Sequence, residues 1–321
     1  MNNLSIRNYS KNVNIISGLP RSGKTLLAPL LSSALDSETF SMDSLIESFI
    51  YLYWTKDLTQ QGLEYLLNHA INQKAHNLAL GRDINFRFDD ETSIFRTNDS
   101  SKHFQKIYKK ETEIISVEMN KKYRFPIILM MHNASTYFHI LTKVFENIKI
   151  INTYSHPINL IYSWYQKGYG KLKTFEENIS PTASPCINFN NKILPIFALG
   201  SENTFSKIGE FDRIILMINL LLNLEKKSYD QVTDLNKSKI KFINYENLVL
   251  RPEETIKDIF SFFEKKYKKE QIGEFNFNLN DRRQSINEIS NKKSKIFSQI
   301  STDSKEIINS MLEDFETHAK G

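Results

Sequence analysis

Short apolar runs alternate along the chain with longer stretches in which apolar residues recur at helical spacing. A short apolar run bounded by polar or turn residues predicts a buried strand, and apolar residues every three to four positions predict a helix packed on a core. The predicted strands are 13–17, 127–131, 149–153 and 240–244. The predicted helices are 24–35, 137–146, 157–166, 211–227 and 252–265. Strands that alternate with helices indicate an α/β fold, with a parallel sheet flanked by helices on both faces.

The segments between these elements differ in their pattern. Residues 43–80 carry apolar residues at helical spacing, and we predict a helical insertion at about 43–125. Within it, 81–104 is polar with scattered aromatic residues, which indicates a long loop. Residues 171–205 contain prolines at intervals and are predicted to be irregular. Because no linker divides the chain, we predict a single domain over residues 1–321.

Composition and charge narrow the class of protein. Hydrophobic residues make up 40% and aromatic residues 12% of the 321 positions, which is enough for a sizeable core. The net charge of +5 suits an anionic partner, but no basic run is interleaved with aromatics, so we predict no nucleic-acid binding. The single cysteine, Cys186, excludes a disulfide scaffold and a thiolate zinc cluster, and it fits a reducing compartment.

The longest apolar runs are shorter than the roughly 20 residues that span a bilayer. The first residues of the chain contain no stretch long enough for the core of a signal peptide. We therefore expect a cytoplasmic protein without a transmembrane segment, and the sequence carries no sign of its oligomeric state.

A phosphate-binding loop is predicted between the first strand and the first helix. The segment GLPRSGKT at 18–25 has the spacing G-x-x-x-x-G-K-[ST] in that context. Glycines let backbone N–H groups point at an anion, and the N-terminus of the helix adds about half a positive charge. The candidate ligands of a phosphate or sulfate are Gly18, Pro20, Arg21, Ser22, Gly23, Lys24 and Thr25.

The same motif occurs in kinases and NTPases that use ATP and Mg²⁺. Their site holds Mg²⁺ through the hydroxyl residue of the loop, here Thr25, and through an aspartate that closes a second strand. The other predicted strands run instead into His132, Ser155 and Glu246. Asp43 is the only near candidate for such an acid. The sequence supports the anion-binding half of an NTPase site better than the metal-binding half, and we predict no metal site.

Four segments, in the right order, resemble the sulfotransferases that use 3′-phosphoadenosine 5′-phosphosulfate (PAPS) as co-substrate. They resemble the 5′-phosphosulfate loop, the strand that delivers a histidine base, the 3′-phosphate segment and the Y-E-D-L-x-x-x-P segment of that family. The resemblance implies a three-layer, P-loop-type parallel sheet and transfer of a sulfuryl group to a hydroxyl. No metal is expected to be required, because the SO₃ unit carries less charge than a phosphoryl group. The segments are GLPRSGKTLL at 18–27, PIILMMHN at 126–133, IINTYSHPINLIYSWY at 150–165 and IKFINYENLVLRPEETIKDIFSFF at 240–263.

The resemblance also implies roles for individual residues. His132, which closes an apolar strand at the carboxyl edge of the sheet, is the candidate base, and imidazole suits proton removal near neutral pH. Arg21 matches the family's cation that stabilises the leaving phosphate. Lys24 and Thr25 are expected to bind the 5′-phosphate, and Ser163 is expected to reach the 3′-phosphate.

Two positions depart from the pattern of the family. Lys24 stands where a threonine is usual, and Ser155 stands where an arginine binds the 3′-phosphate. A basic loop at 281–297 would suit the nucleotide. The candidates to replace the arginine are His156, Arg282 and Arg283.

Three functions stay open at the level of sequence. The leading one is a PAPS-dependent sulfotransferase whose acceptor is a carbohydrate, a lipid or a small metabolite. The others are a P-loop kinase or NTPase, suggested by the full motif, and a non-catalytic nucleotide-binding relative, suggested by Ser155. Residues 43–125 and 166–205 are expected to build the acceptor pocket. Its aromatic candidates are Phe86, Phe88 and Tyr169, whereas Tyr51, Tyr53 and Trp54 are expected to fill the core.

Overall fold

The computed structural model describes residues 12–35, 41–90, 93–96, 101, 104–105, 108–110, 113, 127–174, 185–267 and 279–320. Four of the strands in these residues are β1 (Val13–Ser17), β2 (Ile127–Met130), β3 (Ile148–Tyr154) and β7 (Ile240–Asn244). They form a parallel sheet in the spatial order β2–β1–β3–β7. The predicted strands and the α/β class are therefore confirmed.

Helices cover both faces of this sheet because successive side chains of a strand point to opposite sides. Val13 and Ile15 of β1 pack on one side with helices α2, α3 and α4, whereas Ile16 packs on the other side with α1, α9 and α10. Seven of the helices whose bounds lie in the described residues are α1 (Lys24–Ala34), α2 (Ser44–Trp54), α3 (Gln60–Ala79), α4 (Phe138–Val144), α5 (Pro157–Gln166), α6 (Glu202–Lys207) and α7 (Glu210–Asp230). The others in the described residues are α8 (Asp234–Lys237), α9 (Tyr245–Leu250), α10 (Pro252–Phe262), α11 (Leu279–Asn287), α12 (Ile289–Phe297) and α13 (Thr302–Lys320).

The register of the sheet brings the carboxyl ends of its strands to one edge. Ser17 pairs with Asn152, and two residues later Tyr154 pairs with Asn244. The backbone N–H of Met131, which follows β2, donates to Ile16 of β1 at 3.0 Å. The segments that follow the four strands therefore leave from the same edge, where ligands of parallel sheets bind.

The segment 171–205 differs from its prediction as irregular. A small antiparallel sheet lies there in the order β4–β6–β5, built from β4 (Lys173–Thr174), β5 (Cys186–Phe189) and β6 (Lys192–Pro195). Asn190 and Asn191 join β5 to β6 with φ angles of 49° and 60°. Asparagine tolerates this left-handed conformation, which a two-residue hairpin of the primed type requires. The prediction of an irregular segment rested on its prolines and overlooked this turn. Pro181 lies outside the described residues.

The C-terminal third also differs from the prediction in two places. The predicted helix 252–265 is α10, and α9 precedes it with a break at Arg251, because the residue before a proline is driven out of the helical conformation. The basic loop expected at 281–297 is wrong: this stretch lies in α11 and α12. Of the C-terminal helices, α12 and α13 pack beside α5 and α7 around a third apolar cluster, whereas Leu279 and Ile286 of α11 join the cluster of α1, α9 and α10.

The predicted insertion at 43–125 begins with α2 and α3, as the helical spacing of 43–80 indicates. The predicted loop continues without regular structure through residue 90, and a short 3₁₀ helix follows at Ile94–Arg96. Much of the insertion beyond residue 96 lies outside the described residues. Among the helices that the structure describes, none combines the length and the apolar character needed to cross a bilayer.

Candidate active site

The loop after β1 takes a shape that two of its residues allow only as glycines. Gly18 has a φ of 136°, and a Cβ there would lie 2.3 Å from the carbonyl oxygen of Thr153. Gly23 has a φ of 96°, and its Cβ would lie 2.4 Å from Cδ2 of Tyr245. Because L side chains are strained at these angles and no space is left for a Cβ, both positions require glycine. The predicted loop between β1 and α1 is present.

Three carbonyl groups of the loop accept hydrogen bonds from side chains. Lys24 Nζ donates to the carbonyls of Gly18 at 2.6 Å and Leu19 at 2.7 Å. Trp164 Nε1 of α5 donates to the carbonyl of Pro20 at 2.8 Å. The first N–H groups of a helix have no partner within it. In α1 the N–H of Leu26 donates to the carbonyl of Gly23 at 3.1 Å, and we expect the N–H groups of Lys24 and Thr25 to meet an anion.

The amine of Lys24 is turned to the carbonyls of Gly18 and Leu19. The residue is only 3% exposed, and burial lowers the pKa of its ammonium to about 7, while Glu47 acts in the opposite direction. The binding of Lys24 to the 5′-phosphate stays a prediction.

The segment after β3 meets the loop directly. Arg21 Nε donates to Ser163 Oγ of α5 at 3.2 Å, which joins the two predicted phosphate-binding segments. Ser22 Oγ lies 2.7 Å from Thr153 Oγ1, at the end of β3. The side chains predicted to bind the two ends of the nucleotide are thus neighbours at the edge of the sheet.

Ser155, which replaces the arginine of the family, is held by a carboxylate. Its Oγ donates to Glu246 Oε1 at 2.8 Å, and the same oxygen accepts from the N–H of His156 at 2.9 Å and from Asn159 Nδ2 at 3.2 Å. Burial lowers the pKa of His156, whose Nδ1 accepts from Ile158 N at the start of α5. His156 is therefore a helix cap that favours the neutral form, and it is a poor replacement for the arginine.

A cleft of about 540 Å³ opens in front of the loop and of α5. This volume lies within the range of small-molecule sites. Of the predicted binding residues, Arg283 is turned to the carbonyl of Val249 at 3.3 Å. Gly18, Ser22 and Lys24 are buried, Pro20 is half-buried, and none of the four lines the cleft. The predicted residues that line the cleft are Arg21, Gly23, Thr25, Ser155, Ser163 and Arg282.

Eight further residues line the cleft without having been predicted to bind a ligand, Asp281 among them, and three of the eight contact one another: Asn159, Ser285 and Lys292. Lys292 Nζ donates to Asn159 Oδ1 at 3.0 Å and to Ser285 Oγ at 2.9 Å. Lys292 belongs to the basic stretch at 281–297, which was the only signal for it in the sequence. That stretch contains several cations, and no local feature distinguishes this one from the others.

His132 follows β2 beside the loop and is paired with Glu47 of α2. The Glu47 carboxylate accepts from the backbone N–H of His132, and its Oε1 lies 3.1 Å from His132 Nδ1. The next residue, Asn133, donates its N–H to the carbonyl of Gly18 at 3.5 Å, which places the histidine alongside the loop. The His132 side chain is 29% exposed, so it is accessible to an acceptor. Sequence reasoning missed Glu47, because an acid on a surface helix carries no sign of its distant partner.

Asp43, the candidate metal acid of the NTPase alternative, has other partners. Its Oδ1 accepts from the N–H groups of Leu45 and Ile46 as the N-cap of α2. Its Oδ2 pairs with Lys74 Nζ at 2.9 Å. Both carboxylate oxygens are thus engaged in holding α2 and α3, which is a structural role.

Aromatic side chains from both segments expected to build the acceptor pocket meet near Glu47. Tyr51 and Trp54 of α2 contact Phe197, which follows the antiparallel sheet, with ring centroids 6.1 and 5.9 Å apart. Burial raises the pKa of Tyr51 to about 12, as does Glu47 one helical turn away. Phe86 and Phe88, further along the insertion, are exposed to solvent, whereas Tyr51 and Trp54 are half-buried.

The fold and the site define an α/β protein of the P-loop type, whose glycine loop opens into a cleft of the size of a small-molecule site. The sulfotransferase domain model matches residues 12–316, and the chain therefore belongs to the sulfotransferase family. This membership identifies it as an enzyme of sulfuryl transfer. No curated protein sequence matches the chain.

Several solved structures are similar over nearly the whole chain. The sulfotransferase domain from the curacin biosynthetic pathway is 13% identical and covers 95% of this chain and 98% of its own, with a TM-score of 0.48. The sulfotransferase domain from the Synechococcus PCC 7002 olefin synthase is 14% identical and covers 97% of both chains, with a TM-score of 0.45. Retinol dehydratase in complex with androsterone and inactive cofactor PAP is 12% identical and covers 95% of this chain and 80% of its own, with a TM-score of 0.39. At these scores the assignment rests on the family match.

Proposed function

We propose that the protein transfers the sulfuryl group of PAPS to a hydroxyl of a carbohydrate, lipid or small metabolite, with His132 as the base. The observation that carries this proposal is the hydrogen bond between Arg21 and Ser163, which lies between the phosphate loop and α5 on the wall of the cleft. A ligand that lies across this bond meets the N-terminus of α1 with one end and the Ser155 region with the other. A nucleotide with phosphates on both sides of its ribose has that shape.

The residues of the cleft fit such a nucleotide. Gly18 and Gly23 let the loop pack closely against Thr153 and Tyr245, which leaves no space for a Cβ at either position. The N-terminus of α1, which follows the loop, attracts an anion. Arg21, Arg282 and Lys292 add positive charge along the walls. When PAPS is bound, it supplies the sulfuryl group and the phosphate that leaves.

The chain's own residues then have three tasks. His132 takes the proton of the acceptor hydroxyl as the new S–O bond forms, and a proton on Nδ1 shared with Glu47 leaves Nε2 free for this purpose. Arg21 stabilises the negative charge that develops on the leaving phosphate as the old S–O bond breaks. The loop and Ser163 hold the nucleotide in line with the acceptor.

We also propose, from the sequence, a single domain over residues 1–321, a cytoplasmic location and no requirement for a metal. Cys186 is exposed and unpaired, which supports a reducing compartment.

Thermal unfolding in the presence of nucleotides tests the donor. We expect adenosine 3′,5′-bisphosphate to stabilise the protein without Mg²⁺, by about 2.7 kcal/mol at a hundred times its Kd, and ATP with Mg²⁺ to have no such effect. Stabilisation by ATP and Mg²⁺ alone would favour the kinase alternative, because the G-x-x-x-x-G-K-T motif suits it. Binding of the bisphosphate with no sulfuryl transfer to any of a panel of hydroxyl acceptors would favour a non-catalytic relative.

A further inference from the structure

Glu246 places a negative charge beside the end of the cleft at which the proposed function puts the 3′-phosphate. Its Oε1 has the neutral donors of Ser155, His156 and Asn159, as described above. Its Oε2 is buried and has no hydrogen-bond partner within the part of the chain that the structure describes. An arginine at position 155 would supply a cation there, and serine does not. A phosphate bound near this carboxylate would be repelled unless another element brings a positive charge.

Lys292 of α12 brings a positive charge to this place. The residue is 7% exposed, and its Nζ reaches Asn159 Oδ1, Ser285 Oγ and the carbonyl of Ser285. Asn159 shares its side chain between Lys292 and Glu246, so the amine lies one residue away from the carboxylate. Burial lowers the pKa of Lys292, and Glu288 and Glu246 oppose this effect.

The contacts of Lys292 also distinguish it from the other cations that line the cleft. Arg21 lies at the loop, where it donates to Ser163. Arg282 is more exposed than Lys292. Lys292 has three acceptors for its amine, one on α5 and two at Ser285 of α11, so the amine is held in place before a ligand arrives and a bound phosphate would take the position of one of these acceptors. A group that is fixed in advance binds an anion without a large loss of conformational entropy.

We propose that Lys292 binds the 3′-phosphate of the nucleotide, in the place of the arginine that Ser155 replaces. This inference rests on the proposed function, since PAPS and its product are the nucleotides that carry this phosphate. The C-terminal helices therefore complete the nucleotide site, and Lys292 is a specificity-determining residue for a nucleoside 3′,5′-bisphosphate over a nucleoside 5′-monophosphate.

Calorimetric titration with two nucleotides tests this inference without any measurement of turnover. Adenosine 3′,5′-bisphosphate and adenosine 5′-monophosphate differ only in the 3′-phosphate. In the Lys292→Met variant we expect the Kd for the bisphosphate to rise 10- to 100-fold, on the order expected for one lost charge-assisted hydrogen bond, and the Kd for the monophosphate to stay unchanged. Lys292→Arg keeps the charge and should recover most of the affinity. Lys293→Met, which changes the exposed neighbour on the same helix, is the matched control and should bind both nucleotides as the original protein does.

Each result separates the inference from its alternatives. An equal loss for both nucleotides would mean that Lys292 only clamps α12 to α5, and it would overturn the inference, as would unchanged binding of the bisphosphate. If Lys292→Met does not fold, Ser285→Ala removes one contact of the amine and should weaken the bisphosphate several-fold with no effect on the monophosphate; equal changes would again overturn it. An original protein that does not prefer the bisphosphate would contradict the proposed donor itself.

Discussion

Glu47 influences two side chains of the site at once. It accepts from the backbone N–H of His132 and lies 3.1 Å from the Nδ1 of this residue, so Nδ1 is engaged and Nε2 is the nitrogen left for a proton from the acceptor. It also acts on Lys24, whose pKa burial lowers to about 7 and Glu47 raises. One carboxylate thus contacts the candidate base and raises the pKa of the buried lysine of the loop.

Replacement of the base should separate chemistry from binding. In His132→Ala we expect turnover to fall by a factor on the order of 10²–10⁴, because the acceptor proton has no partner, while the affinity for adenosine 3′,5′-bisphosphate stays nearly unchanged. Steady-state kinetics and calorimetry measure the two effects. His139→Ala is the control, since His139 contacts Ser228 at 3.0 Å away from the cleft. Normal turnover in His132→Ala would remove this residue from the role of base.

Arg21 should matter for both rate and affinity because it contacts the loop side of the cleft and Ser163. In Arg21→Ala we expect the Kd for the bisphosphate to rise about 10- to 100-fold and turnover to fall on the order of 10²–10³-fold. Arg87→Ala, which removes an exposed arginine paired with Asp89, serves as the control and should leave both values unchanged. A fully active Arg21→Ala enzyme would refute the assignment to the leaving phosphate.

Among the elements, the loop between β1 and α1 can be predicted from the local sequence, but the contact that requires glycine at position 23 cannot. Its glycine spacing predicts the turn, but the ring that excludes a Cβ at Gly23 belongs to Tyr245, which follows β7. The small antiparallel sheet and the C-terminal helices show the opposite case. The turn at Asn190 and Asn191 belongs to the sheet, and the basic stretch at 281–297 belongs to the helices. Both sequences are typical of loops, and both regions contribute residues to the apolar cluster around α5 and α7.

A pair of glycine variants tests the role of close packing in the loop. Gly23→Ala and Gly200→Ala both place an alanine at a positive φ, of 96° and 81°, but only the first meets a neighbour, since no atom lies within 4 Å of the Cβ at Gly200. Gly200→Ala should cost about 1–2 kcal/mol of the free energy of unfolding from backbone strain. Gly23→Ala should cost more and should abolish binding of the bisphosphate. Urea unfolding and calorimetry measure both, and equal costs with intact binding would show that Tyr245 does not constrain the loop.

At the scale of the whole molecule, the buried amine of Lys24 links folding to pH. Below about pH 7 it is protonated in the folded and unfolded chains alike, so its effect does not vary. Between pH 7 and the ordinary lysine pKa of 10.5, the unfolded chain holds the proton and the folded protein does not. The free energy of unfolding therefore rises with pH in this window, by up to about 1.4 kcal/mol per pH unit for one proton.

Urea unfolding from about pH 6.5 to about pH 9.5 measures this linkage. We expect the rise in the free energy of unfolding to be smaller in Lys24→Met than in the original protein, because the variant has no amine to release a proton. Lys265→Met, at an exposed position, should keep the original slope. The same slope in Lys24→Met would show that the buried amine does not lose its proton in the folded protein.

The sequence by itself determined the four strands of the parallel sheet, the helices between them, the P-loop and the family, because periodicity, glycine spacing and short motifs act within a few residues of each other. Only the tertiary structure decided which side chains complete the site. Glu47 and His132 are 85 positions apart, and Lys292 and Asn159 are 133 apart. Such pairs form when helices pack on the sheet, and no local pattern specifies which of many acids or lysines will be brought to its edge.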